Sequence, residues 1–268
     1  MDTEIFYFSG TGNALSIARA LIQRTTGTLI AIKSTQHLQT VRSDAQTIGL
    51  VFPAYYMRLP RIVERFVDKL TIQESAYVFA VVTIAGVAGG VLDRLGEALQ
   101  RRGATLSSGF LVRMPPNYIH DANALPAFLQ KRMFRKWERR LGTICREIAS
   151  RQQGKMDTVN PVGTFLFAGQ VEKQYQSGDL RPDIDQHFWV DDKCVQCGLC
   201  QRICPVGNIS IDNDAHLWNG TCEKCLACIQ WCPQQAIQFG NVTAKRRRYH
   251  HPEVTVADMI SNKAERYI

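Results

Sequence analysis

Short apolar, β-rich runs alternate with amphipathic stretches over residues 1–153, which is the pattern of a parallel sheet covered by helices. The pattern predicts strands at Glu4–Ser9, Thr28–Lys33, Thr47–Pro53, Tyr77–Thr83 and Leu106–Met114. It predicts helices after the first, third and fourth of these. A long helix follows over about 124–152, where Leu129, Met133, Trp137, Leu141, Ile144 and Ile148 form an apolar stripe at helical spacing. That stripe reads as core. The longest uncharged stretch, Ala76 to Leu92, contains Gly86, Gly89 and Gly90 and is shorter than the ~20 apolar residues of a membrane helix. It reads as a strand, a glycine loop and a helix start.

Periodicity fades over 154–186, where Gly154, Pro161, Gly163, Gly169, Gly178 and Pro182 suit a connector. The expected organisation is an α/β domain at 1–153, a linker at 154–186, a small α+β domain at 187–240, and a tail at 241–268 that packs on the domains. A length of 268 residues, 45% of them hydrophobic and 21% charged, supports one ordinary domain and a small second one.

The second domain is dominated by a repeat: CVQCGLCQRICP starts at Cys194 and CEKCLACIQWCP at Cys222, an offset of 28 residues. Both copies read C-x2-C-x2-C-x3-C-P. In such a run three closely spaced thiolates bind one [4Fe-4S] cubane and the fourth ligates the other. Cys194, Cys197, Cys200 and Cys232 are thereby assigned to one cluster, and Cys222, Cys225, Cys228 and Cys204 to the other. Zinc is the competing metal for soft thiolates, but a zinc ribbon uses two C-x2-C pairs for one site, whereas here eight positions recur as a duplicated triplet plus one. The repeat also aligns Ile209 with Ile237, and Trp189, Trp218 and Trp231 lie nearby as core material. The ninth cysteine, Cys145, stands alone and reads as an inert thiol. Disulfides are not expected: the start Met1-Asp2-Thr3-Glu4 lacks the basic residues of a secretory signal, which points to a reducing cytoplasm.

The first strand runs into Ser9-Gly10-Thr11-Gly12-Asn13-Ala14 and then a helix, so hydroxyls and free N–H groups meet at a positive helix N-terminus. This is a phosphate cradle. It is neither a G-x-G-x-x-G fingerprint, since Leu15 stands at the third glycine, nor a P-loop, since no Gly-Lys-Ser/Thr follows. Ligands of open α/β sheets bind where the carboxyl ends of strands converge. There the third strand offers Pro53, Ala54, Tyr55 and Tyr56, and the fourth Thr83 and the glycines Gly86 and Gly89. Together these loops suit a flat aromatic ring with a phosphate tail.

The segments FYFSGTGN and GLVFPAYYMRLP and the glycine loop resemble the flavin mononucleotide (FMN) sites of flavodoxins. The whole chain resembles the bacterial family in which a flavodoxin-like domain is fused to a bacterial-type 2[4Fe-4S] ferredoxin, and MPPNY at 114–118 and RYHHPEV at 248–254 are similar to it as well. The resemblance implies a doubly wound parallel sheet of order 2-1-3-4-5, FMN held by residues 9–14, ring contacts from 54–56 and 83–90, and Asn117 and Tyr118 beside the flavin. Ala14 departs from the flavodoxin loop, which often carries threonine there.

Charge changes the picture less than its size suggests. The formal +8 falls to roughly +2 once two clusters and a flavin phosphate are counted, so no nucleic-acid partner is expected. The segment 130–155 holds nine Lys or Arg against Glu138 and Glu147, and 245–248 reads Lys-Arg-Arg-Arg; these runs are solvated faces or a docking face for an acidic redox partner. The expected function is an intracellular electron carrier of anaerobic metabolism, coupling FMN and clusters to a ferredoxin, reductase or acceptor enzyme. The alternative is a flavin-dependent reductase of a small molecule, with Tyr118 as proton donor.

Overall fold

A computed structural model describes residues 3–158, Gly169 and 185–267. Most of the expected connector at 154–186 lies outside the described residues. Five parallel strands form the centre: β1 (Thr3–Tyr7), β2 (Gly27–Ala31), β4 (Thr47–Pro53), β6 (Tyr77–Ile84) and β7 (Leu106–Arg113). Their order is β2-β1-β4-β6-β7, which in chain order is 2-1-3-4-5, the flavodoxin-like doubly wound arrangement. β4 and β6 are apolar on both faces because helices cover both sides, so they read as unbroken runs and not as alternation.

The helices are α1 (Asn13–Thr25), α2 (Arg61–Lys69), α3 (Val91–Gln100) and α4 (Ala127–Ala149). α4 buries Trp137, Leu141, Ile144 and Ile148 and packs on α1 and β7, while Leu129 and Met133 are half-buried near its start. It begins after Pro126, whose fixed φ suits a helix entrance.

The structure extends the expected sheet. Among the described residues it has seven strands, with β8 (Lys155–Met156) beside β7 and β13 (Glu265–Tyr267) antiparallel to β2. The second strand ends at Ala31, and Ile32–Thr35 form a 3-10 turn instead of continuing it. A separate pair joins β3 (Val41–Ser43) to β5 (Leu70–Ile72).

The C-terminal unit is small: β9 (Phe188–Val190) pairs with β12 (Ile237–Phe239), and β10 (Ile209–Asp212) forms a hairpin with β11 (Ala215–Trp218). Two short helices, α5 (Leu199–Ile203) and α6 (Ala227–Gln230), carry the cysteine repeat. Its core gathers Phe188, Ile209, Leu226, Ile229, Ile237 and Tyr249, and also takes in Ile119 and Ala124 from the loop after β7. The chain then returns to the sheet through α7 (Val256–Ile260), capped by reciprocal bonds between Thr255 and Asp258. Arg19 of α1 holds this tail with bonds to Asp258 (2.8 Å) and Glu265 (2.7 Å). No helix among the described residues is long and apolar enough to cross a membrane.

Candidate functional site

The first strand and α1 are joined by Phe8–Gly12, and Gly12 adopts φ 92°, a left-handed conformation that glycine takes without strain. Its N–H donates to Ser9 Oγ (3.0 Å), closing a tight turn at the helix N-terminus. A cleft opens there, at the carboxyl ends of β1, β4, β6 and β7. Ser9, Gly10, Thr11, Asn13 and Ala14 line one end. Pro53, Ala54, Tyr55, Thr83 and Asn117 line the other, with Ile84, Ala85, the Met114–Pro116 segment and Tyr118. The walls enclose about 470 Å³ of space, counting the open mouth.

Four residues expected at the ligand stand outside this lining. Gly12 faces the tail: a Cβ there would lie 2.9 Å from Val254 and 3.0 Å from His251. Gly89 is small because Met57 packs on it, 2.1 Å from where its Cβ would be. No protein atom lies within 4 Å of a Cβ at Gly86. Tyr56 stacks on Tyr118 (centroids 5.1 Å apart) and its hydroxyl meets His120 Nε2 at 3.3 Å, so it supports the wall from behind. Burial holds His120 down to about 4, which keeps that ring neutral at physiological pH.

The hydroxyls of Tyr55 and Tyr118 are both buried and have no hydrogen-bond partner among the described residues. Burial pushes both phenols well above their ordinary value, so they remain neutral donors. Two orphaned donors in one cleft call for a polar group on a ligand. The helix N-terminus with Ser9 and Thr11 suits a phosphate at the opposite end. The cleft therefore suits a ligand with a phosphate at the helix N-terminus and a flat polar ring between the strand-end loops.

The eight repeat cysteines fall into two neighbourhoods. The Cys200 thiol is pushed up to about 11, chiefly by burial, and the sulfurs that add to the push are those of Cys194, Cys197 and Cys232. Cys228 is raised by burial and then by Cys222, Cys225, Cys204 and, from the other copy's triplet, Cys200. Around Cys200 the neighbouring sulfurs are those the spacing groups with it, and around Cys228 one sulfur of the other set stands close as well. Cys204, Cys222, Cys225 and Cys228 line a common cavity with Phe188, Trp218 and Leu226. Among the described residues no group of three or more Cys, His, Asp or Glu side chains is arranged to hold a single metal ion. A cavity among four thiols leaves room for a cluster where a lone zinc would need its ligands drawn to one point. Backbone N–H groups already aim at the sulfurs: Asn208 N donates to Cys204 Sγ (3.2 Å), Lys224 N to Cys222 Sγ (3.2 Å) and Ala236 N to Cys232 Sγ (3.3 Å). Such donors stabilise thiolate charge and offset the burial that favours thiols. Cys145 lies on α4, half-buried and away from both sets, with its thiol raised by burial.

The cleft and the second cysteine set share a wall. A Cβ at Gly10 would stand 2.7 Å from the Cys225 carbonyl oxygen and 2.9 Å from the Tyr55 hydroxyl. Asn117 Nδ2 donates to the same carbonyl (3.4 Å), and Trp231 Nε1 donates to Gly10 O (3.0 Å). The tail closes the other side of the loop, with His251 N donating to Thr11 O (2.8 Å) and the Tyr249 hydroxyl to Asn13 Oδ1. Local sequence patterns gave no sign of the Trp231, Tyr249 and His251 contacts, because each joins residues more than two hundred positions apart.

Solved structures with local likeness include a putative flavoprotein from Bacteroides uniformis (17% identity, TM-score 0.35, covering 42% of this chain and 90% of that one). Others are the rubredoxin oxygen:oxidoreductase of Desulfovibrio gigas (17%, TM-score 0.34, 56% and 36%) and an azoreductase from Bacillus anthracis (11%, TM-score 0.34, 56% and 98%). With TM-scores below 0.5, these likenesses decide nothing about this chain. The polyferredoxin protein MvhB of Methanothermus fervidus is 32% identical over 50 residues, covering 19% of this chain, which thus spans only 12% of that relative's length. Residues 193–238 match the 4Fe-4S dicluster domain family, so the C-terminal unit is an iron–sulfur ferredoxin domain and electron transfer is its general chemistry.

Proposed function

We propose that this chain is an iron–sulfur flavoprotein that carries electrons for a separate redox partner in the cytoplasm. It would hold FMN in the N-terminal cleft and two [4Fe-4S] clusters, one on Cys194, Cys197, Cys200 and Cys232, the other on Cys222, Cys225, Cys228 and Cys204. The observation that carries this reading is the shared wall, in which Gly10, Asn117 and Trp231 join the phosphate loop to Cys225 and its neighbours. When bound, a flavin supplies exchange of electron pairs or single electrons and the clusters supply single-electron exchange. The protein's own residues bind and orient. Ser9, Thr11 and the first N–H groups of α1 hold a phosphate, and the neutral hydroxyls of Tyr55 and Tyr118 offer donors to the ring. Leu226, Ile229 and Trp231 keep water from the second cysteine set. A ferredoxin, reductase or acceptor enzyme completes the circuit.

An anaerobic redox titration followed by absorbance and EPR, with iron and flavin quantified on the same sample, tests the proposal. About eight iron and one FMN per chain are expected. A single zinc and no iron would sink it, and clusters without FMN would remove the flavin half. One observation favours a second reading, reduction of a small molecule at the flavin: the buried, unpartnered Tyr118 hydroxyl could deliver a proton. Tyr118→Phe would then abolish small-molecule turnover, whereas a pure carrier would keep its rate of electron exchange.

A further inference from the structure

The two cysteine sets differ in what reaches solvent. Cys225 is 7% exposed beneath the phosphate loop, whereas Cys197 is exposed and its neighbour Val195 is 60% exposed. Gln196 Nε2 donates to Asp214 O (3.0 Å), which draws the Cys194–Cys197 turn against the tip of the β10–β11 hairpin. Leu217, on that hairpin, is 47% exposed. The charged groups of these turns are Asp191, Asp192, Asp212 and Asp214 against Lys193 and Arg202, with Arg248 close to Cys232 and Asp191 and its guanidinium held on the Thr243 and Ile237 carbonyls. Lys193 is paired with Asp191 (3.3 Å), and Arg202 reaches the Cys197 carbonyl (3.5 Å). The result is an apolar patch with an acidic rim on a chain of formal charge +8. Metal-bound thiolates would deepen the negative potential. The cations of α4, among them Lys131, Arg132, Arg135 and Lys136, lie on the other unit, on the helix packed against α1 and β7.

We infer that electrons enter and leave this protein at the Cys194, Cys197, Cys200 and Cys232 site, through this patch, and that the partner docking there is a redox protein with a basic rim around an apolar centre. This rests on the iron–sulfur reading above. The set buried against the cleft faces inward and the open set faces out, so the open one is the terminus. Each encounter moves one electron between the two proteins, with no bond made or broken. Complementary charge at the rim raises the encounter rate. The cations of α4 then act as a solvated face, and an acidic partner docking on them is the competing outcome.

The test uses the full-length holoprotein. Hexaamminechromium(III), a redox-inert paramagnetic cation, should broaden amide NMR signals at 212–217 and 192–193, and hexacyanochromate(III), its anionic counterpart, should not. The triple variant Asp192→Asn, Asp212→Asn, Asp214→Asn should lose that broadening while keeping its iron. In stopped flow, the dithionite-reduced protein gives one electron to each tris(phenanthroline)cobalt(III), yielding cobalt(II). The triple variant should slow this about tenfold at low salt, and the difference should vanish at high salt. Oxidation by the anionic cobalt(III)–EDTA complex should be faster in the variant. Broadening by the anion centred on 131–139, with cation rates unchanged in the triple variant, would overturn the inference. A chain with the expected iron but equal rates overturns this inference alone, whereas one without clusters overturns the iron–sulfur reading as well.

Discussion

The two copies of the cysteine repeat share their backbone and differ in their surroundings. Gln196 (φ 54°) corresponds to Lys224 (φ 51°), Gly198 (φ 69°) to Leu226 (φ 59°), and Gly207 (φ 62°) to Gln235 (φ 51°). The N–H groups of Asn208 and Ala236 donate to the equivalent sulfurs of Cys204 and Cys232. The residues between the cysteines decide burial. At equivalent positions the first copy carries Val195, Gln196, Gln201 and Arg202, which face water, and the second carries Glu223, Lys224, Ile229 and Gln230, which are buried, while Leu199 with Ala227 and Ile203 with Trp231 are buried in both. Leu226 even holds a left-handed conformation, at a cost of roughly 1–2 kcal/mol, which its nearly complete burial offsets. Ligand spacing therefore sets which sulfurs gather, and the intervening side chains set which gathering faces solvent.

The largest expected effect separates the two copies directly. Cys225→Ser and Cys197→Ser should each lower iron from about eight to about four per chain. Only Cys225→Ser should also drop the thermal midpoint by about 10 °C or more, because it loosens the junction with the sheet; equal losses in calorimetry would break the comparison. Trp231→Ala removes a buried ring and should cost about 3–5 kcal/mol. Trp231→Phe keeps most of the area and strands only the Gly10 carbonyl, about 1–3 kcal/mol in urea unfolding.

Arg19→Ala probes the tail that closes the buried side and should cost about 1–3 kcal/mol. Bonding to Arg19 holds the Asp258 carboxyl well below its ordinary range, and in Glu265 the bonds from Arg19 and Tyr267 win over burial to lower it too. Both folded values are depressed. Their stabilisation is therefore present at neutral pH and lost as the pH falls through the carboxylate range and below. Proteolysis of the tail should rise with acid in the native protein and lose that dependence in the variant. Smallest is Gly198→Ala, about 1 kcal/mol for a Cβ in a left-handed turn with no clash.

Much of this was legible in the sequence, for local reasons. The Thr47–Pro53 strand is found as expected, since a run buried on both faces has sharp ends. The iron–sulfur character of the C-terminal unit follows from the cysteine spacing alone. What stayed hidden depends on contacts between distant residues: β8 and β13 are too short to show a period and exist through pairing with β7 and β2. The packing of Met57 on Gly89 was hidden too, because in a sequence a glycine looks the same whether a ligand or a side chain approaches it. Trp231 read as core, and its indole N–H on Gly10 joins two units whose meeting no local pattern encodes.

The antiparallel pairing of Glu265–Tyr267 with β2 has a consequence for biosynthesis. As the chain leaves the ribosome, the strands of the parallel sheet can assemble early, but the outer edge of β2 has no partner until residues 265–267, which follow the cysteine segment, have been made. An open strand edge is a template for pairing with other chains. The nascent protein is thus most prone to aggregate while its cysteine segment is emerging and awaiting metal, which couples the supply of iron and sulfide during synthesis to the yield of folded protein.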